Sequence, residues 1–213
     1  HASHELRTPL TAITGQIQVS LLANDNPADL KLMIQSVLDD VQQLNKLTNN
    51  LLDLTSIDAD DTKFKYSLVN ILEVIWQIRA ELLKKNPDYK ILISLDDNAE
   101  LTPEVKGNEG LLYTALINLI ENGAKFSPQH TVEVKIDMDD EILKLSFHNE
   151  GSMIPANELS QIFEPFKRGS NARNTKGHGV GLSLTRRIVQ LHNGKIEVES
   201  SHDAGITFNL FLP

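Results

Sequence analysis

The stretch Ser3-His4-Glu5-Leu6-Arg7-Thr8-Pro9-Leu10 sets a histidine, a carboxylate and a hydroxyl within about one turn of helix. The apolar residues that follow the histidine fall at Leu6, Leu10, Ile13 and Ile17, in steps of four, three and four, which makes a heptad-like seam directed at another helix. His4 lies off that seam, shares a face with Thr8 and has Glu5 as its immediate neighbour. An imidazole kept in water is partly neutral near physiological pH and therefore nucleophilic. A glutamate side chain that reaches the ring can hold the proton on one nitrogen and leave the other to attack. Pro9 cannot donate a helical hydrogen bond and crowds the carbonyl of Glu5, so a kink is expected beside the histidine.

Downstream, the helical pattern runs to about Ala23 and stops at Asn24-Asp25-Asn26-Pro27, a run of helix breakers and caps. A second helix carries Leu30, Ile34, Val37, Val41, Leu44, Leu47, Leu51 and Leu54, and the two form an antiparallel hairpin. A hairpin leaves one apolar seam uncovered, so two copies are expected to pair into a four-helix bundle. The second helix outruns the first, which leads us to expect further helical sequence upstream. After a short acidic linker, Asp58 to Thr62, the periodicity alternates between two and 3.6. Strands are expected at Phe64–Leu68, Ile91–Leu95, 131–138, 143–147, 195–199 and 206–212, with a turn at Asp139-Asp140-Glu141. Helices are expected at Val69–Lys84, Glu109–Lys125 and Leu182–Leu191. The class is α+β: a helical hairpin followed by an α/β sandwich, with helices layered on one face of a largely antiparallel sheet.

The 213 residues, 40% hydrophobic, 23% charged and 5% aromatic, suffice for one or two cored domains. A net charge of −9 argues against nucleic acid or an anionic membrane surface as partner. The lack of cysteine excludes disulfides and thiolate metal sites. No apolar run reaches the roughly 20 residues of a spanning helix and nothing reads as a signal peptide, so no membrane contact is expected of this stretch.

Within the helix at Leu116–Lys125, three polar residues stand on one face at i, i+4 and i+7: Asn118, Asn122 and Lys125. Amide oxygens are hard, neutral ligands suited to Mg²⁺, and a lysine is a point charge suited to phosphate. Taken alone, the same face reads first as solvated helix surface. Gly177, Gly179 and Gly181 precede a helix, an arrangement that lets backbone amides approach a polyphosphate at a helix N-terminus. Before them lies Asn171 to Lys176, polar and aperiodic, with Arg168 and Lys176 flanking it, which reads as a lid.

Taken in order, these strings resemble the sensor histidine kinases of two-component systems. Ser3 to Leu10 resembles their phosphoacceptor box, with His4 as the phosphorylated histidine and Glu5 assisting. Glu5-Leu6-Arg7-Thr8 also resembles the motif linked to phosphatase activity, in which Thr8 would orient a water. Asn118 to Ser127 resembles the N box, which implies Mg²⁺ chelation by Asn122 with Asn118, phosphate contact by Lys125 and nucleotide contact by Phe126. His148-Asn149-Glu150-Gly151-Ser152-Met153-Ile154-Pro155 is placed like the G1 box, implying that Asn149, Gly151 and Ile154 bind the base. It departs twice from the family pattern, with Asn149 for an aspartate and Met153 for a glycine, so weaker or less base-selective binding is expected. Phe163 to Ser170 resembles the F box, which brings in Phe166 and Arg168, and Gly177 to Leu182 the G2 box. Asp203 to Phe208, containing Thr207, keeps one glycine of the final box.

The resemblance implies a dimerisation and phosphoacceptor domain over residues 1–59, truncated at its N-terminus, and a Bergerat-type ATP-binding catalytic domain over residues 60–213. It further implies Mg²⁺-dependent autophosphorylation of His4 by ATP in a homodimer, and transfer to an aspartate of a response-regulator receiver domain. This would be the cytoplasmic region of a protein for which an upstream anchor in the cytoplasmic membrane is left open. Two rivals stand beside it. A simple ATPase of the wider fold family needs a glutamate at position 118 to activate water, and Asn118 cannot act as a base. A pseudokinase that only docks a partner would suit the altered Asn149 and Met153.

Overall fold

The computed structural model describes residues 2–22, 26–59, 64–95, 103–139, 142–172 and 177–213, without the side chains of residues 2–5, 8, 56, 58, 59 and 139. By its internal contacts the chain divides into two compact units, His1–Asp53 and Leu54–Pro213.

The first unit is built on a helical hairpin, α1 (Ala2–Leu22) and the greater part of α2 (Pro27–Ala59). Helix α1 continues through Pro9. Thr11 and Thr14 turn their hydroxyls back onto the carbonyls of Arg7 and Leu10 at 2.9 and 2.7 Å, a pattern that bends helices. Of the expected turn, Asn24 and Asp25 lie outside the described residues, while Asn26 caps α2. Its Oδ1 accepts from the amides of Ala28 and Asp29 at 2.9 and 3.1 Å, and Pro27 takes the first helical position, where no amide is needed. Ile13 and Leu47 are buried, but Leu10, Ile17 and Leu21 on α1 and Leu30, Ile34, Leu38 and Val41 on α2 are exposed. The steps of three, four and seven between them draw an apolar stripe along each helix that the single chain leaves open.

The second unit begins with the last turns of α2, where Ile57 is 2% exposed and clusters with Leu111, Ala115, Leu184 and Ile188. It continues as β1 (Ser67–Asn70), α3 (Ile71–Lys85), β2 (Lys90–Leu95), β3 (Glu104–Gly107), α4 (Glu109–Phe126), β4 (Thr131–Asp139), β5 (Ile142–Asn149), α5 (Gly181–Leu191), β6 (Lys195–Ser201) and β7 (Gly205–Leu212). The main sheet has the order β2-β4-β5-β7-β6, with only the β2–β4 pair parallel. The helices cover one face, and the core is Ile71, Ile75, Ile78 and Leu82 of α3 and Leu112, Leu116, Leu119 and Ile120 of α4 against Val132, Val134, Leu145 and Phe147. Each such side chain contributes about 1.5–3 kcal/mol of transfer free energy.

Four elements differ from the sequence expectation, the first being α2, which runs on through Asp58 and Ala59 where the linker was expected to have begun. The first strand lies at Ser67–Asn70 instead of Phe64–Leu68, and its helix starts at Ile71 instead of Val69. The reason is Asn70, whose side chain accepts from the amide of Glu73 at 3.2 Å and caps the helix, leaving β-branched Val69 to pair with Val105. That partner strand, β3, is only four residues long and was not expected, since four residues carry too little alternation to register. The expected hairpin joins β4 to β5 in the register Met138↔Leu143, with Asp140 and Glu141 outside the described residues. Acidic linker residues 60–62 also fall outside them.

One buried polar joint ties α4 to α5. The amide of Asn108, the N-cap of α4, donates to His192 Nε2 at 3.0 Å, and His192 Nδ1 donates to the carbonyl of Ile188 at 2.7 Å, which fixes a neutral ring. Tyr66 packs against the ring at 5.4 Å between centroids, and its hydroxyl donates to the carbonyl of Leu191. Burial holds the pKa of His192 below its ordinary value of 6.5, the bond to Ile188 opposing that shift. The unfolded chain then takes up a proton below about pH 6.5 that the folded chain refuses, so this contribution to stability is present above that pH and is lost as pH falls through the lower folded value. Denaturation of the chain at about pH 7.5 and about pH 5.5 is expected to show a loss in the parent, at most about 1.4 kcal/mol per pH unit for one proton, that is absent from His192→Gln. Identical pH dependence in the two proteins would refute it.

Candidate functional site

The site is assembled where the second half of α4, the end of β5 and the start of α5 converge. On α4, Asn118 is 6% exposed, while Asn122, Lys125 and Phe126 are half-buried, so the polar face expected from the sequence is not a solvated one. Gly123 sets the depth of this helix: a Cβ there would stand 2.4 Å from Val132 Cγ2 and 3.9 Å from the Cβ of Asn149. Strand β5 buries Leu143, Leu145 and Phe147 on alternate positions, and the same alternation turns Asn149 inward at 3% exposure. Next to it the chain is packed so closely at Gly151 that a Cβ would stand 2.8 Å from Asn149 Nδ2 and 2.9 Å from the carbonyl of Phe126. Ile154 is buried in the core with its amide donating to Ser200 Oγ at 2.9 Å. Thr207 sits opposite His148 across β5 and β7, its Oγ1 3.0 Å from His148 Nδ1.

At the other end of α4, a Cβ on Gly181 would lie 3.4 Å from Asn118 Oδ1, so Asn118 faces the first residue of α5. That helix has no side-chain cap: its N-cap is Val180, and the hydroxyl of Ser183 turns back onto the Val180 carbonyl at 2.7 Å. Its leading amides are left for an anion, favoured further by the helix dipole. Gly177 stands close to Lys125, 3.7 Å from Nζ to the position of a Cβ. Gly179 has φ +70°, and a Cβ there would meet the carbonyl of Lys167 at 2.7 Å, so only glycine fits without strain. Its carbonyl accepts from the amide of Phe166, itself at φ +65°, and this bond stitches the F-box segment to the glycine turn. Arg168 is exposed and donates to the carbonyl of Ala172, and Leu182 is half-buried against the core.

The structure therefore brings Asn118, Asn122, Lys125, Phe126, Asn149, Gly151, Gly177 and Gly181 to one region, with Phe166, Arg168 and Gly179 at its rim. The side chains of His4, Glu5 and Thr8, and lid residues 173–176 including Lys176, lie outside the described residues. Glu158, which sequence reasoning passed over, helps to join the loops at the front of the groove. Glu158 accepts from the amide and hydroxyl of Ser170 at 2.8 and 3.1 Å, and Asn171 Nδ2 donates to the carbonyl of Ser152 at 3.0 Å. No periodicity marks such loop-to-loop bonds, and only their geometry finds them.

A nucleotide fits these residues on one test in particular. The Nδ2 atoms of Asn118 and Asn149 are buried and have no hydrogen-bond partner among the described residues, which costs about 1–3 kcal/mol for each group unless a ligand supplies one. Among the described residues no cluster of three His, Asp or Glu side chains is placed to hold a metal alone. A cation here would have to share amide oxygens with phosphate, which suits Mg²⁺. No helix among the described residues is long and apolar enough to cross a membrane.

Known proteins agree with this geometry. Residues 107–213 match the family described as Histidine kinase-, DNA gyrase B-, and HSP90-like ATPase, and residues 1–60 match the His Kinase A (phospho-acceptor) domain. The heme sensor protein HssS of Staphylococcus haemolyticus is 32% identical over 221 residues, an overlap of 100% of this chain and 46% of HssS. The chain spans less than half the length of such curated relatives. Among solved structures, the histidine kinase AdeS of Acinetobacter baumannii matches with a TM-score of 0.80 at 21% identity, over 98% of this chain and 96% of that one. The histidine kinase ThkA in complex with the response regulator protein TrrA matches with a TM-score of 0.76 at 23% identity, over 99% and 59%. At these identities the two structures establish the fold alone. With a phosphoacceptor domain placed ahead of this ATP-binding domain, the chain belongs to the two-component sensor histidine kinases.

Proposed function

We propose that this chain is a protein-histidine kinase that transfers the γ-phosphoryl group of ATP to His4 and then to an aspartate of a response-regulator receiver domain. The observation that carries it is the presence, in one chain, of a helix bearing His4 and a groove with two buried, unpartnered amides beside an uncapped helix N-terminus. Phosphoryl transfer asks little covalent chemistry of a protein and a great deal of positioning and charge neutralisation. Here the amides leading α5 and Lys125 would hold the phosphates, Phe126 and Ile154 would flank the base, and Asn149 with Gly151 and Thr207 would read it. Asn122, assisted by Asn118, would hold Mg²⁺, which when bound neutralises charge on the phosphate oxygens. Phe166, Arg168, Gly177, Gly179 and Leu182 would frame the lid. Glu5 would orient the imidazole of His4, and Thr8 would position a water for hydrolysis of the phosphorylated regulator. A response regulator as partner is supported by ThkA, which is seen in complex with a response regulator protein.

The catalytic role divides at residue 59, with residues 1–59 accepting the phosphoryl group and residues 60–213 delivering it. The reaction belongs in the cytoplasm, where ATP is supplied. A second copy of the chain would cover the open stripe of Leu30, Ile34, Leu38 and Val41 and complete a four-helix bundle.

Incubating the chain with γ-labelled ATP and Mg²⁺ is expected to place an acid-labile, alkali-stable label on the parent, with His4→Gln unlabelled and Asn122→Ala down by about 100-fold or more. Nucleotide binding with no label on the parent would favour the docking-only pseudokinase instead. Gly181→Ala separates binding from folding. Within a helix the exchange is worth up to about 1 kcal/mol of added stability, yet the methyl stands beside Asn118 where phosphate must approach, so ATP affinity is expected to fall with the unfolding midpoint unchanged or higher. Unchanged affinity would place the phosphates elsewhere. Ile34 is 56% exposed, so Ile34→Glu is expected to leave helix content intact and weaken self-association by about 100-fold or more, measured by sedimentation. A variant that dimerises like the parent would remove the stripe from the interface.

A further inference from the structure

We infer that Asn149 makes the site permissive at the 6-position of the purine, so that it takes 6-oxopurine triphosphates such as GTP and ITP alongside ATP. This rests on the nucleotide reading of the groove and on Asn149 lying at the base. Asn149 closes the inward series Leu143, Leu145, Phe147 on β5 and is 3% exposed, yet its Nδ2 has no partner among the described residues. The chain passes close to that nitrogen at Gly151, where a Cβ would come within 2.8 Å of it. A buried donor left without a partner asks for an acceptor on the ligand.

The chemistry of the amide decides which acceptor. Adenine offers a donor at N6 and an acceptor at N1, whereas a 6-oxopurine offers an acceptor at O6 and a donor at N1. A carboxamide carries one donor group and one acceptor side by side, and a half-turn about its last side-chain bond exchanges them. Asn149 therefore meets either edge with two hydrogen bonds. A carboxylate has acceptors only, so it pairs with the adenine N6 but meets O6 lone pair to lone pair. Discrimination of nucleotides by a buried polar group is strong when one ligand leaves that group unpaired, and the amide leaves neither ligand so.

The test measures dissociation constants of ATP, GTP, ITP and CTP with Mg²⁺ for the parent chain and for Asn149→Asp, by competition with a fluorescent nucleotide. ITP isolates the 6-position, because it lacks the 2-amino group of GTP. The expected result is ITP and GTP within about tenfold of ATP in the parent, CTP much weaker, and an ITP-to-ATP ratio that rises at least tenfold in Asn149→Asp. A parent that prefers ATP over ITP by more than tenfold overturns the inference while leaving the nucleotide site in place. So does a ratio equal in the two proteins, or CTP bound as well as ATP. Should Asn149→Asp fail to fold, the parent's own ITP-to-ATP ratio decides the matter. A parent that binds none of the four would remove the nucleotide reading and this inference together.

Discussion

Helix α4 comes into close contact with the sheet at Gly123, and the site depends on it. A single methyl there would run into Val132 at 2.4 Å, an overlap that well-packed interiors relieve only by backbone movement costing about 1–3 kcal/mol. Because position 123 carries only a hydrogen, the end of α4 settles onto β4 and β5. The carbonyl of Phe126 is thereby brought over Gly151 and beside Asn149. The same seating turns Asn118 toward the first residue of α5, buried at 6% exposure. Amides that would be ordinary surface groups on a higher-riding helix become buried ones.

The walls of the groove differ in how they are held. Its back is helix on sheet, with core residues such as Leu116, Leu119, Val132 and Phe147 at 0 or 1% exposure. Its front is a chain of single hydrogen bonds between loops: Glu158 to Ser170, Asn171 to Ser152, and Phe166 to Gly179. Two residues of that front, Phe166 and Gly179, take left-handed backbone conformations, and only the glycine does so without cost. A rigid back with a lightly bonded front is what a site needs if a substrate must enter and then be enclosed.

The helical unit answers a different requirement. Its seam residues bury Ile13 and Leu47 within one chain but leave Leu30, Ile34, Leu38 and Val41 in water. Two helices bury little by themselves, so their outer apolar stripes stay open in the single chain.

The elements that can be read along the chain are those whose signal is local. The helices announced themselves by steps of three and four, and the long strands by alternation. The amides of α4 and the three glycines before α5 were visible because their spacing is set by one helix or one turn. What sequence could not supply arose from encounters between distant residues. The four-residue β3 exists only because β1 lies beside it, and Val69 left the helix because Asn70 could cap it. His192 gained its role from Asn108, 84 positions away. The inward turn of Asn149, and the orphaned nitrogens of Asn118 and Asn149, follow from burial, which is a property of the packed assembly of elements and of no single stretch. Periodicity reports which face of an element is apolar; only packing reports which polar atoms that face carries in with it.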